Sequence, residues 1–505
     1  MKIHHVSKKF RGALGSLLFV FSLPVATFSQ ALPGLSLQFV NNSGYADSNV
    51  WINWQNGGGA NPFLISYGTN QLVAPVAMGA SVNLMDINAA GGFSISNLVS
   101  GGVYVSYGAP IPVGAAPNPQ GSGDPSYNIR YQNFEVTRTG SPGDQGDLTA
   151  INFFTSTMSA KTYNGGTNGT LLQSYGYHLT PATIANQLSA LVANSPAAVV
   201  YDSNSNFVRV IAPTSFGNNN YGPYESFTNY LQSVSQSGQM TTVSNFNAFN
   251  TGAVVAGNTN YNFVLNFQAA VQSDNTIVMQ GEINTIVTPF GQSSYNGPSF
   301  SNTVTTIPGT DGHAISYAIY GSVASSNTTF TGGWSDFSAF CLANNIETNQ
   351  LGQFSDAIGT TMRLAIGEIT TGFLAGFVNS TNFLPGTANM LKDVPSRLWW
   401  DMTNIVAFSD VQTNADFFNQ YANVIYTSSS NGVYGMPYSD RFVNAPLFNT
   451  VQYNSQNVDT LLITLDYLDF GAIPEMKANV FMILGMVCLY FVVSRRRIRA
   501  KSEQS

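Results

Sequence analysis

From Leu35 to Phe154 the chain is written in short alternating runs broken by Gly, Asn and Pro, and this pattern restricts its fold more than any other feature. LSLQFVNN, VWINWQ, VYVSYG, FEVTR and LTAINFF carry branched or aromatic side chains in an alternating pattern, as strands with one buried face require. Ala109 to Tyr127, rich in Gly, Pro and Ala, reads as a loop. Helical spacing enters later. Thr180 and Pro181 form an N-cap and first-turn pair opening PATIANQLSALVAN, with Ile184, Leu188 and Leu191 on one face. Phe227 to Val234 reads as a short helix, Tyr261 to Ile286 as strand and Leu351 to Thr370 as a long helix. Val411 to Tyr426 reads as a further helix and Asp459 to Leu465 as a late strand. This order predicts a mainly β chain, a β-sandwich or barrel joined to a mixed α/β part. A groove between the two is the default binding site.

The charge distribution separates the ends from the body. Of 18 basic residues, nine lie before Gly12 or after Val493. Between Leu32 and Pro474 there are 8 basic and 23 acidic residues, a balance of −15. Such a body has no basic patch for nucleic acid and suits an uncharged polymer better than a polyanion. The two cysteines, Cys341 and Cys488, leave the body one thiol and no internal disulfide. No His/Cys cluster has metal-ligand spacing, and neither a phosphate loop nor a Ser-His-Asp signature is present.

The N-terminus has the parts of a secretory signal: a basic segment with Lys2, Lys8, Lys9 and Arg11, an apolar run from Ala13 to Leu23, and small residues near Ala31. The C-terminus places Ile473-Pro474-Glu475 before an apolar run, 478–493, and an arginine cluster. This tail resembles the PEP-CTERM sorting signal, with Met476 in place of its second proline. The resemblance implies export, transient anchoring in the inner membrane through the tail, handling by an exosortase-type enzyme, and a final place at the cell surface, in the outer envelope or outside the cell.

The densest chemistry lies in NFEVTRTGSPGDQGDLTAINFF, from Asn133 to Phe154. In a chain with 9% charged residues it holds three carboxylates, Glu135, Asp144 and Asp147, within thirteen positions. Carboxylates facing one another across strands are what glycoside hydrolysis requires, one to protonate the leaving oxygen and one to activate water.

Several segments, in order along the chain, resemble glycoside hydrolase family 64 and its wider thaumatin-like superfamily. They are LSLQFVNNSG, NLVSGGVYVSYG, FEVT followed by DLTAINFF, FVRVIAP at 207–213, and YANVIYTSSSNGVYGMPYSDRF. The resemblance implies a thaumatin-like β-sandwich or barrel and a mixed α/β domain flanking a wide groove. The β domain would run from 32 to 165, the mixed region from 166 to 430 with some strands returning to the β domain, and its completing strands from 431 to 472. A signal at 1–31 and the tail at 473–505 would flank them.

The activity implied is inverting endo-hydrolysis of β-1,3-glucan without a cofactor. Glu135 matches the family's general acid. Asp147 is the available second carboxylate, because Asn152 stands where the family has its catalytic aspartate. Asp144, Tyr438 and Asp440 are expected to touch substrate, with Ser439 replacing the first member of the family's Asp-Asp pair. The alternative from a different class is a non-catalytic β-glucan-binding or surface matrix protein on the same fold, which Asn152 and Ser439 favour.

Overall fold

The computed structural model describes residues 34–468, apart from 57–63, 68–73, 115, 140–143, 217–219, 251–258, 290–291, 307–312, 322–327, 345, 347–356, 401, 403–405, 430–432 and 438–456. The N-terminal and C-terminal segments read as signal and sorting tail lie outside the described residues, as do Tyr438, Ser439 and Asp440. No described helix is long and apolar enough to cross a membrane. All described residues belong to one compact unit that begins at Pro33.

Four of the alternating runs form strands where the pattern places them: β1 (Leu35–Asn41), β2 (Val50–Asn56), β3 (Phe93–Tyr107) and β4 (Arg130–Arg138). The fifth, LTAINFF, is broken, its first two residues ending β5 (Gln145–Thr149) before a bend at 151–152. Antiparallel pairing runs β2–β3–β4–β5, while β1 joins the start of β3. In β1, Leu35, Leu37 and Phe39 point into the core, the period-2 burial that alternation predicts. Gly92, just before β3, has φ +111°, and a Cβ there would run into the Leu37 carbonyl, so only glycine allows the entry to this strand.

After β5 the chain leaves this sheet through β6 (Phe153–Phe154), then returns with β7 (Met158–Asn164) and β8 (Thr170–Gly176). Helix α1 (Pro181–Leu191) follows, and the Thr180 hydroxyl accepts the Thr183 N–H at 3.2 Å as an N-cap. Such a cap contributes ~1 kcal/mol. Next come β9 (Val199–Tyr201) and β10 (Phe207–Ile211), the latter buried along its whole length and paired with β6. Helix α2 (Thr228–Ser237) leads into a five-stranded antiparallel meander, β11 (Thr241–Asn250), β12 (Thr259–Val271), β13 (Ile277–Pro289), β14 (Tyr295–Thr306) and β15 (Thr328–Gly332). The strand expected over Tyr261–Ile286 is the centre of this larger sheet. Tyr261, Phe263, Leu265, Phe267 and Ala269 form its inward row.

Helices α3 (His313–Gly321), α4 (Trp334–Ala343) and α5 (Ala357–Ala375) follow. The wholly buried Glu368 of α5 accepts N–H groups from Asn245 at 2.9 Å and Trp400 at 2.7 Å, joining helix to sheet. The helix expected from Val411 starts later, as α6 (Gln420–Thr427). The Asn419 side chain caps it by accepting the Ala422 N–H at 3.1 Å, and the chain before it makes only short 3-10 turns. A short strand, β16 (Val433–Tyr434), runs parallel to β5. The late strand β17 (Thr460–Leu465) lies between β1 and β7, closing a twelve-stranded sheet with segments far apart in sequence. The architecture is mainly β with an α/β part, as expected.

Candidate active site

Three residues on adjacent strands stand in one row. Gly102 of β3 is directly opposite Glu135 of β4, and Glu135 is directly opposite Asp147 of β5. Directly opposed antiparallel residues share a face, with Cβ atoms about 4.5–5.5 Å apart. The alternate positions, Val103, Val105, Phe134, Val136 and Leu148, fill the core. The row therefore lies on the face turned away from that core, and both carboxylates are half-buried.

The turn between β4 and β5 is fixed on the core side. Arg138 Nη1 lies 3.2 Å from Asp144 Oδ2, and Asp144 Oδ1 accepts the Thr139 N–H at 2.8 Å and its hydroxyl at 2.7 Å. The Asp144 side chain is 0% exposed. Asp144, expected to touch substrate, is thus placed on the opposite face from Glu135, in a buried ion pair that sets the hairpin register. Arg138 is its partner, as the odd offset from Glu135 requires.

Asn152 sits on an exposed bend between β5 and β6. Its backbone is held tightly: the carbonyl accepts the Ala212 N–H at 2.9 Å and the Ser215 hydroxyl at 2.7 Å. Thr214 donates to the neighbouring Ile151 carbonyl, and Tyr421 donates to the Ala150 carbonyl at 2.8 Å. On the core side, the buried Gln132 amide spans the same bend, donating to the Thr149 carbonyl and accepting the Thr155 N–H, both at 2.8 Å. The strand parity that would set Asp147 against Asn152 therefore does not apply, because the chain leaves the β5 ladder after Thr149.

The sequence reading missed the aromatic wall beside Glu135. Tyr104 of β3 and Tyr131 of β4 meet edge to face at 5.9 Å, and Tyr131 meets Phe153 the same way at 5.1 Å. A Cβ at Gly102 would lie 3.0 Å from the Tyr104 ring, so that ring covers the side-chain-free position next to Glu135. Burial pushes the Tyr104 hydroxyl well above its ordinary pKa, and the nearby Tyr131 and the Glu135 carboxylate push it further. Tyr104 is therefore a neutral hydrogen-bonding group beside the Glu135 carboxylate at physiological pH. The signal was available, since 102 and 104 share a strand face in VYVSYG. Trp54, Trp399 and Trp400 are core and offer no platform to a sugar. Among the described residues, no group of three or more His, Cys, Asp or Glu side chains could hold a metal.

A β-rich body that carries two carboxylates side by side on an outward sheet face, flanked by tyrosines, has the equipment of a polysaccharide-cleaving protein. The family model described as beta-1,3-glucanase matches residues 34–299, more than half of the chain, and the protein belongs to glycoside hydrolase family 64. Among solved structures, the beta-1,3-glucanase domain of Clostridium beijerinckii is 14% identical, with 86% of this chain and 98% of that one covered at a TM-score of 0.46. A laminaripentaose-producing beta-1,3-glucanase solved with laminaritetraose is 15% identical, with 87% and 100% covered at 0.46. The laminaripentaose-producing enzyme of Paenibacillus barengoltzii is 14% identical, with 89% and 79% covered at 0.39. No curated protein matches the chain.

Proposed function

We propose that this protein is an exported endo-acting β-1,3-glucanase in which Glu135 donates a proton to the glycosidic oxygen and Asp147 is the second carboxylate. The observation that carries the reading is the single row Gly102–Glu135–Asp147 across three strands. Inversion needs the two carboxyl groups roughly 6.5–9.5 Å apart, with water between them. Their Cβ atoms start closer than that, so the side chains must lean apart. Gly102 has no side chain to compete with Glu135, and in this reading the acid leans toward the Tyr104 side while the attacking water enters on the Asp147 side. The low charge of the body suits a neutral glucan, and no cofactor is needed for this reaction type. Export rests on the basic-apolar N-terminus, and retention or release at the surface on the tail.

The second reading, a glucan-binding protein without hydrolysis, is favoured by one observation. The position the family fills with its aspartate carries the exposed amide of Asn152, which cannot take a proton from water. Chromatography of laminarin incubated with the purified protein separates the two. Short oligosaccharides establish the glucanase; laminarin binding without release establishes the binding protein.

A further inference from the structure

Arg209 lies in the FVRVIAP segment, which the catalytic reading above does not use. It is the central residue of β10 and is 0% exposed. A buried cation is costly before compensation, yet among the described residues no carboxylate lies within ion-pair distance of it. Its Nη2 donates to the backbone carbonyls of Tyr127, at 3.0 Å, and Ile129, with Ser126 at 3.5 Å, while Nε and Nη1 reach no acceptor. The guanidinium carbon sits 4.0 Å from the centre of the Tyr131 ring and 5.7 Å from that of Phe153. Its charge is thus directed at the carbonyls of the segment feeding into β4 and at the aromatic ring of Tyr131, with the Asp124 carboxylate of that same segment attracting it from beyond ion-pair distance.

Tyr131 shares a strand face with Glu135, and its edge contact with Tyr104 continues the wall to the acid. A guanidinium over a ring is attracted by the ring's negative face, more strongly where water is excluded. A leucine at 209 would fill space without grasping carbonyls or ring, and a lysine would keep the charge without the planar fork that holds both at once.

We propose that Arg209 is a positioning residue that locks the Tyr131–Tyr104 wall against Glu135 and so sets the environment in which that acid holds its proton. The proposal rests on the assignment of Glu135 as the acid, but its test does not require turnover. Among the described residues, Asp147 stands across the strand pair from Glu135, and the Tyr104 hydroxyl lies close enough to feel its charge.

The experiment is an NMR titration of Glu135 in protein labelled with 13C at the glutamate carboxyls, the Glu135 signal being assigned by its loss in E135Q. Wild type is compared with R209K, Y131L and the double variant, with melting temperatures recorded alongside. Loosening the wall admits water beside the carboxyl and moves its titration midpoint. We expect R209K and Y131L to move it in the same direction by roughly half a pH unit or more, and the double variant to move it no further than the larger single change. Y131F, which keeps the ring under the guanidinium, leaves it in place. Lowered melting temperatures with an unmoved midpoint in both variants would overturn the proposal and leave Arg209 as packing alone. Should R209K fail to fold, Y131L and Y131F decide the matter by themselves. Laminarin hydrolysis by wild type is scored separately, so loss of the glucanase reading and loss of the positioning role are distinguishable.

Discussion

Glu135 and Asp147 are direct cross-strand partners, in a hairpin whose register is pinned from behind by the buried Arg138–Asp144 pair. A slip of one residue would turn one carboxylate of the pair to the core face. The catalytic geometry we propose therefore depends on an ion pair on the opposite face of the sheet.

Breaking that ion pair should destabilise the protein strongly. R138M leaves the Asp144 carboxylate buried without its cation, and the expected loss is roughly 3–5 kcal/mol in urea unfolding. The double variant R138M/D144L should recover much of this, because it buries no charge. A loss below 1 kcal/mol for R138M would mean that the pair does not fix the turn.

Gly102 should tolerate little. Its Cβ position lies 3.0 Å from the Tyr104 ring and beside Glu135. G102V is expected to crowd the Glu135 carboxyl toward Asp147 and lower kcat by roughly 10²-fold, the scale of a displaced catalytic group. The melting temperature should fall as well, since the added side chain presses on the Tyr104 ring packed against Tyr131. Initial rates on laminarin and a thermal scan check both halves.

Asn152 offers a gain-of-function test. Its side chain is exposed and its backbone is held by contacts that a carboxylate does not disturb. If Asp147 is a poor base, N152D supplies a better one and should raise the rate by up to about 10²–10⁴, the usual worth of a general base. An unchanged rate in an active wild type would assign the base to Asp147.

The hairpin β7–β8 should loosen in acid. The Asp459 carboxylate accepts the N–H groups of Gly165 at 2.6 Å and Gly166 at 3.1 Å, tying the turn to the start of β17. Burial pushes its pKa up, but these amides and the Thr460 hydroxyl outweigh that, and the net effect is a lowered pKa. A group with a lowered folded pKa stabilises fully above its unfolded value and loses that contribution as pH falls through the folded one. Amide exchange at Gly165 and Gly166 should therefore be slow above about pH 5 and, after correction for intrinsic pH dependence, rise below about pH 4. D459N should remove the transition.

The strands from β1 to β4 were legible from their branched and aromatic runs, most cleanly in β1, whereas in β4 four consecutive buried residues, 131–134, override the alternation. The outer meander was only half legible. In β14, YNGPSFSNTVTT, Phe300 and Val304 are its large inward side chains, with Asn302 between them, and Gly297 and Pro298 suggest a turn. The helix read from Val411 was overextended because its apolar spacing continues across a stretch that capping by Asn419 excludes. Within the site, Glu135 could be named from its motif. Asp147 could be offered as the second carboxylate, but not its place directly opposite Glu135, because register across the turn is decided by Arg138 and Asp144. Nor could the place of Asn152, whose bend is held by Ala212, Thr214, Ser215 and Tyr421, all more than fifty residues away.

The most direct test compares laminarin hydrolysis by wild type, E135Q, D147N and the double variant, with products quantified by chromatography. Groups that act as a unit are non-additive. We expect each single variant to lose at least about 10²-fold and the double variant to lose little more than the worse single one. An E135Q protein that releases oligosaccharides at the wild-type rate would contradict the account.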